Sequence, residues 1–288
     1  MINGLHTLET DVAPVTSHDE ALERELSEWF RAQKSVLVGF SGGVDSAYLA
    51  CVAVDAIGAD NVLAVIGRSA SYPGEQWARA RAVADRFAVP VLEVSTDELS
   101  DPRYAANPSN RCYFCKTELW TRLTEVAVEQ HFDVIIDGTN ASDLGEHRPG
   151  LRAAAERAVR SPLAELGWSK TDVRAAAREL GIPIWDAPAA PCLSSRIRYG
   201  VRVTPERLAQ VEQAEALVRA AGVRGNLRVR HLGESARVEV DPLEVPMVRA
   251  AWPQLEAELL TVGFSAVTLD PAGYRRGALL ELAVQGQG

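Results

Sequence analysis

The sequence predicts an α/β protein: a mostly parallel sheet with helices on both faces over residues 1–203, then a small α+β unit over 204–288. Up to Val203, short apolar runs of strand length alternate with stretches of helical periodicity. Beyond it, strands alternate apolar and charged residues, and proline interrupts the helices. A Ser41-Gly42-Gly43 turn joins the first apolar strand directly to a helix, the junction on which nucleotide-binding sheets are built.

Met1 to Asp19 has little periodicity and reads as a loose lead-in. Glu20 to Gln33 places Leu22, Leu26, Trp29 and Phe30 at helical spacing. Val36 to Phe40 is a buried strand, and Ala47 to Val54 continues as a helix after the glycine turn. Asn61 to Gly67 is a second strand, Arg68 to Gly74 a polar loop, Glu75 to Phe87 a helix and Val89 to Val94 a third strand. Val134 to Gly138 is a fourth strand, and Lys170 to Leu180 a helix stopped by Gly181 and Pro183. In the C-terminal unit, Thr204 starts a helix over Pro205 to Ala221. Leu227 to His231 and Ala236 to Val240 alternate as strands with one wet face. Glu244 to Leu260 is helical despite Pro246 and Pro253, and Phe264 to Leu269 is the last strand.

Composition narrows the function. A chain with 47% hydrophobic and 24% charged residues is an ordinary globular protein. Its net charge of −9 disfavours non-specific binding to nucleic acid or acidic membranes. No apolar run approaches the ~20 residues that span a bilayer, and Met1 to Glu20 lacks a signal-peptide layout. The expectation is a cytoplasmic protein with neither a membrane nor a nucleic acid as partner. Four cysteines do not make a disulfide framework, so their positions carry the information.

Ser41-Gly42-Gly43-Val44-Asp45-Ser46 is an anion site by construction. Glycines let the backbone approach a phosphate, and the helix start points N–H groups and a positive dipole end at it. The run lacks the Gly-Lys-[Ser/Thr] ending of a Walker A loop and the Gly-x-Gly-x-x-Gly of a dinucleotide fold. It resembles the PP-loop of the ATP pyrophosphatases, which cleave ATP between the α- and β-phosphates and adenylate a substrate. Arg68 to Ser71 and Asp137 to Asp143 fall at other strand ends and are expected in the same crevice.

Cys112 and Cys115 form a Cys-x-x-Cys pair, and Cys192 follows the rigid Pro188 to Pro191 segment. Cys51 reads as a small core residue. The pair suits a redox couple, half a zinc site or part of an iron–sulfur site. A redox couple wants a helix start, and none is evident; zinc needs a fourth ligand, which only His131 or His147 could supply. Three thiols without a fourth suit a [4Fe–4S] cluster with one open iron. Arg196 and Arg198 lie close behind Cys192, which therefore also suits a nucleophile.

These stretches, with Asp137-Gly138-Thr139-Asn140-Ala141-Ser142-Asp143, Arg148-Pro149-Gly150, Pro191-Cys192-Leu193-Ser194-Ser195-Arg196, Tyr199-Gly200, Arg228-Val229-Arg230 and Gly273-Tyr274-Arg275-Arg276-Gly277, resemble one family from Leu22 to Arg276. It is the LarE family, the ATP-dependent sulfur transferases of the lactate racemase nickel-pincer cofactor pathway. The resemblance implies an adenine-nucleotide-alpha-hydrolase-like, Rossmann-like first domain. It also implies a homo-oligomer working with the other enzymes of that pathway. The implied substrate is a pyridinium mononucleotide with ring carboxylates; ATP and Mg²⁺ adenylate one carboxylate, and sulfur displaces AMP. Some members sacrifice a cysteine sulfur, whereas three-cysteine members hold a [4Fe–4S] cluster that delivers an added sulfide. Cys112, Cys115 and Cys192 match the cluster type, with Cys192 the catalytic thiol.

The ATP site is then Ser41, Gly42, Gly43, Val44, Asp45, Ser46, Arg68, Ser69, Gly138, Asn140 and Asp143, with Arg148 similar. Asp45 either ligates Mg²⁺ or caps the helix, the local pattern favouring the cap. Arg228 and Arg230 share one strand face and suit a phosphate clamp. Arg196, Glu215 and Arg275 join them at the substrate phosphate or carboxylates, and Glu239 reads as an ordinary surface or interface carboxylate. The competing readings are a tRNA thiolase, an amide-forming PP-loop ligase and a non-catalytic iron–sulfur or nucleotide sensor.

Overall fold

A computed structural model of the chain describes residues 17–145, 149–188, 191–275 and 277. Most of the expected lead-in lies outside them, as do His147, Arg148 and Arg276. The elements run α1 (Ser17–Arg31), β1 (Val36–Gly39), α2 (Val44–Ile57), β2 (Val62–Arg68), α3 (Gly74–Arg86), β3 (Val91–Ser95), α4 (Pro102–Ala105) and α5 (Arg111–Glu129). They continue with β4 (Val134–Ile136), α6 (Pro149–Ala155), α7 (Pro162–Glu165), α8 (Lys170–Glu179) and a 3₁₀ turn at Leu193–Arg196. The last part holds α9 (Pro205–Ala220), β5 (Leu227–His231), β6 (Ser235–Val240), α10 (Val245–Ala250), α11 (Trp252–Thr261) and β7 (Ala266–Leu269).

Alternation along β1 builds the first sheet. Val36 and Val38 face the cluster made with Leu26 and Phe30 of α1, Leu49 of α2 and Val83 of α3. Leu37, with Val65 and Ile135 beside it, faces Trp120, Leu123 and Ala127 of α5. Both faces are covered, which is why these strands read as unbroken apolar runs. The strands are parallel in the order β3-β2-β1-β4. The chain therefore leaves β1 toward β2 on one side and returns to its other side at β4. The carboxyl ends of β1 and β4 flank the switch point, where open sheets of this kind bind ligands.

The second sheet has the order β5-β6-β7, with β5 and β6 antiparallel and β6 and β7 parallel. Thr204 caps α9 by accepting from the Arg207 N–H at 3.3 Å. The proline-interrupted stretch divides at Ala251 into α10 and α11, each carrying its proline in the first turn, where no N–H is needed.

Two expectations fail here. The wet face is overturned at β5, where all five residues are buried, Arg228 and Arg230 at 6% and 5% exposure, whereas Ser235 and Arg237 of β6 stay half-buried. Arg230 tolerates this because the buried Glu239 of β6 meets it, a pairing that strand alternation cannot reveal. The second concerns the Cys-x-x-Cys pair, which does sit at a helix start: it opens α5, the longest helix described. A first turn of Arg-Cys-Tyr-Phe-Cys carries neither a capping side chain nor an acidic residue to signal it. Among the described residues no helix is long and apolar enough to cross a membrane.

Candidate active site

The glycine loop is held by contacts that leave the α2 start open. Gly42 takes φ +72°, and a Cβ there would lie 2.9 Å from the Ala80 Cβ. Ser46 Oγ turns back, donating to the Gly43 carbonyl at 3.1 Å and accepting from the Ser41 N–H at 3.2 Å. The Ser41 carbonyl accepts from Tyr72 Oη at 3.0 Å and Gln76 Nε2 at 2.5 Å. Gly43 is the N-cap and brings no side chain, so the first-turn N–H groups keep their partial positive charge for an anion.

The β4 loop closes on this helix start. A Cβ on Gly138 would lie 2.8 Å from the Ser46 nitrogen, so only glycine permits the approach. Asn140, fully buried, donates from Nδ2 to Asp45 Oδ1 at 3.0 Å. The Asp45 side chain is turned to the β4 loop, and the N-cap position itself is Gly43. Burial raises the Asp45 carboxyl above its ordinary range, with the Asn140 hydrogen bond and the Lys170 charge opposing. Asp143 lies beside them, accepting from the Asn140 N–H at 3.4 Å. Ser41 to Ser46, Gly138, Asn140 and Asp143 thus gather at the switch point.

Arg68 and Ser69 are placed differently. The Arg68 guanidinium stacks on Trp77, 4.8 Å from the ring centroid, and meets Glu93 at 3.8 Å. Ser69 and Ser71 both donate to one oxygen of Glu98 at 2.6 Å. Glu98 is 2% exposed and, like Tyr72, Gln76 and Lys170, gives no local signal in the sequence. What reaches the glycine loop from this stretch is Tyr72 and Gln76.

The same stretch also holds the cysteine segment. The Ser71 carbonyl accepts from the Leu193 N–H at 2.8 Å, next to Cys192. Arg196 donates from Nη1 to the carbonyls of Pro191 and, at 3.1 Å, Cys192. Its other edge pairs with both oxygens of Glu215, at 2.9 and 3.1 Å. Arg196 is thereby bound up in fixing Cys192. The Cys192 sulfur lies within electrostatic reach of both Cys112 and Cys115. Burial pushes the Cys115 thiol up, and the nearby Glu98 carboxylate adds to it. Among the described residues no three His, Cys, Asp or Glu side chains stand as a closed metal-ligand set. His131 follows the far end of α5, roughly 24 Å along the helix from Cys115 and farther from Cys112, so it is no fourth ligand. Cys51 is packed in the first core, its thiol pushed up to about 12 by burial.

The C-terminal arginines form a buried network. Arg230 donates to Glu239 at 2.9 Å and to the Ser195 carbonyl at 3.1 Å. Glu239, fully buried, also accepts from Arg237 at 2.5 Å, and Asp270 takes Arg237 at 3.5 Å and Arg275 at 3.6 Å. Glu239 is therefore the hub of the network, not a surface carboxylate. Arg228 stacks on Tyr274 at 5.2 Å; burial, then the Arg196 charge, lowers it to about 10. An open hollow of about 470 Å³ lies apart from these residues, between Thr204, Gln210, His231 and Phe264.

Comparison with known proteins places this geometry. The sequence profile of the NAD synthase family matches residues 15–127, the part that carries the glycine loop. An uncharacterized protein of Synechocystis sp. is 41% identical over 90% of this chain and 97% of its own length. The pyridinium-3,5-bisthiocarboxylic acid mononucleotide synthase of Lactiplantibacillus plantarum is 34% identical over 88% of this chain and 91% of its own. An uncharacterized protein of Methanocaldococcus jannaschii is 31% identical over 76% of this chain and 82% of its own. The likeness to the synthase runs through both sheets and not the glycine loop alone, so the chain belongs to the LarE family.

Proposed function

We propose that the chain adenylates a ring carboxylate of a pyridinium dicarboxylate mononucleotide and converts it to a thiocarboxylate. One observation carries the reading: a single short stretch grips both halves of the site, Tyr72 on Ser41 and Ser71 on Leu193. The ATP loop and the cysteine segment are thus held in fixed relation, as activation followed by sulfur delivery requires.

In the first half, a substrate carboxylate oxygen attacks the α-phosphorus of ATP and the bond to the β-phosphate oxygen breaks. The α2 start stabilises the departing pyrophosphate where its charge develops. Asp45, oriented by Asn140, is the carboxylate that would hold Mg²⁺. In the second half a sulfur anion attacks the acyl carbon, the bond to the adenylate oxygen breaks, and AMP leaves with that electron pair. The cation-rich network of Arg228, Arg230, Arg237 and Arg275 suits the substrate phosphate. Arg196 acts as a positioning residue for Cys192.

The cysteines suit an iron–sulfur group in donor type: Cys115 packs against the apolar cluster that holds Leu193, next to Cys192, and Cys112 stands one turn before Cys115 on α5. Cys112, Cys115 and Cys192 would hold a [4Fe–4S] cluster, which supplies a labile sulfide at an open iron. The alternative source is the Cys192 sulfur itself. Cytoplasmic location, assembly into a homo-oligomer and hand-over to other nickel-pincer enzymes belong to the same reading.

The test is ATP-dependent pyrophosphate release by the full chain, with product mass. Release that requires the carboxylated pyridinium mononucleotide, with sulfur replacing oxygen in the product, supports the reading. Release without that substrate, or transfer to tRNA, contradicts it. An anaerobic absorbance spectrum with iron and sulfide counts separates cluster from sacrificial cysteine.

A further inference from the structure

Arg111 is 3% exposed, and among the described residues none of its contacts is with a carboxylate. Nη1 donates to the Asn107 side-chain oxygen at 2.9 Å. The guanidinium lies over the Tyr199 ring at 5.1 Å. Nε is buried and has no hydrogen-bond partner. A buried cation with only neutral neighbours is unfavourable unless an anion shares its pocket. The sulfurs of Cys192 and Cys112 lie within reach of its charge.

The position is built. Asn107 is fully buried, in the left-handed region at φ +57°. Its Nδ2 is shared by the carbonyls of Ile197, Arg198 and Val201, at 3.2, 2.9 and 2.9 Å. The segment that follows Cys192 is therefore stapled to Asn107. The same amide, with its Nδ2 engaged, turns its oxygen to Arg111. One side chain thereby fixes the guanidinium between the start of α5 and the Cys192 segment.

We propose that Arg111 is the counter-cation of the three-cysteine centre, its open Nε–H a binding group for anionic sulfur there. The proposal rests on the cluster reading above. In it Arg111 is a positioning residue: its buried guanidinium neutralises and orients a negatively charged sulfur centre beside it. Lys116 adds a second positive charge near Cys112 and Cys115. Arg111 adds to this a buried N–H that has no partner among the described residues. Removing a fixed positive charge beside a redox centre makes its reduction harder.

The experiment compares wild type, Arg111→Lys and Arg111→Gln after anaerobic reconstitution with iron and sulfide. It reads iron and acid-labile sulfide per chain, the midpoint potential, and the melting temperature of the apoprotein. Arg111→Gln is expected to lose most of its labile sulfide and to shift the potential of what remains to more negative values. Its apoprotein should melt at or above the wild-type temperature, because an uncompensated buried charge is gone. Arg111→Lys should fall between the two, keeping the charge but not the planar donor. A full cluster at unchanged potential in Arg111→Gln overturns the role of Arg111 and leaves the cluster reading standing. A destabilised Arg111→Gln apoprotein also overturns it, by showing a packing role. Wild type that takes up no iron overturns the cluster reading and the role of Arg111 together, and the iron count tells these results apart.

Discussion

The glycine loop and the arginine network carry positive charge by opposite means. At Ser41 to Ser46 the charge is partial, supplied by backbone N–H groups at the start of α2, and the flanking contacts only shape the turn. At Arg228 to Arg237 the charge is whole, and it is buried beside carboxylates that are buried too. A backbone site keeps its N–H groups ready with little penalty when empty. A buried ionic site depends on every partner being present. The first tolerates loss of a contact, and the second does not.

The largest expected effect breaks the ionic side of the contrast. Glu239→Gln leaves Arg230 and Arg237 without their shared carboxylate and should destabilise the protein by roughly 3–5 kcal/mol in urea unfolding. A loss below about 1 kcal/mol would show that the network is solvated and not a buried unit.

Falling pH divides the two regions next. His231 accepts from the Gly233 N–H at Nδ1 and faces the Gln210 Oε1 with Nε2, a neutral ring with its proton on Nε2. Burial, then the Arg207 charge, lowers it to about 4. Above an unfolded value of about 6.5 the two states bind protons alike; as pH falls from there toward 4 only the unfolded chain gains one, so roughly 3 kcal/mol is lost. Asp45 has the opposite sign: its raised carboxyl takes up a proton more readily when folded, so acid stabilises that group. Hydrogen exchange should therefore show β5 and β6 losing protection before β1 and β2. Equal loss in both sheets would contradict the division.

Smaller effects sharpen the backbone side. Gly138→Ala forces the β4 loop off the α2 start and should raise the KM for ATP by about tenfold, near 1.4 kcal/mol. Tyr72→Phe removes one hydrogen bond to the Ser41 carbonyl and should change the KM by about fivefold or less. A larger effect from Tyr72→Phe than from Gly138→Ala would mean that the side-chain contacts, not the backbone approach, build the site.

The same contrast explains what could be read from residues alone. Strand, glycine turn and helix are adjacent in the chain, so their chemistry is local and legible, as are Thr204 as a cap and the prolines of α10 and α11. Arg230 and Arg196 are visible as charges, but Glu239 and Glu215 become their partners only through strand pairing and the packing of α9. Glu98 and Asn107 are buried polar residues in short irregular segments, and nothing in their neighbours marks them as buried. The helix start at the Cys-x-x-Cys pair is marked in the sequence by Asn110 alone, with no acidic residue in the first turn to support it. Family resemblance supplied the roles that spacing left open, above all the choice among redox pair, zinc and cluster.

Central to the proposed function is a division of labour between the glycine loop and Cys192. Its most direct test is Cys192→Ser, assayed for both half-reactions on the carboxylated pyridinium mononucleotide with ATP. Substrate-dependent pyrophosphate release should persist while thiocarboxylate formation falls by at least about a hundredfold, near 2.7 kcal/mol or more. Unimpaired sulfur transfer in Cys192→Ser would contradict the division at its centre.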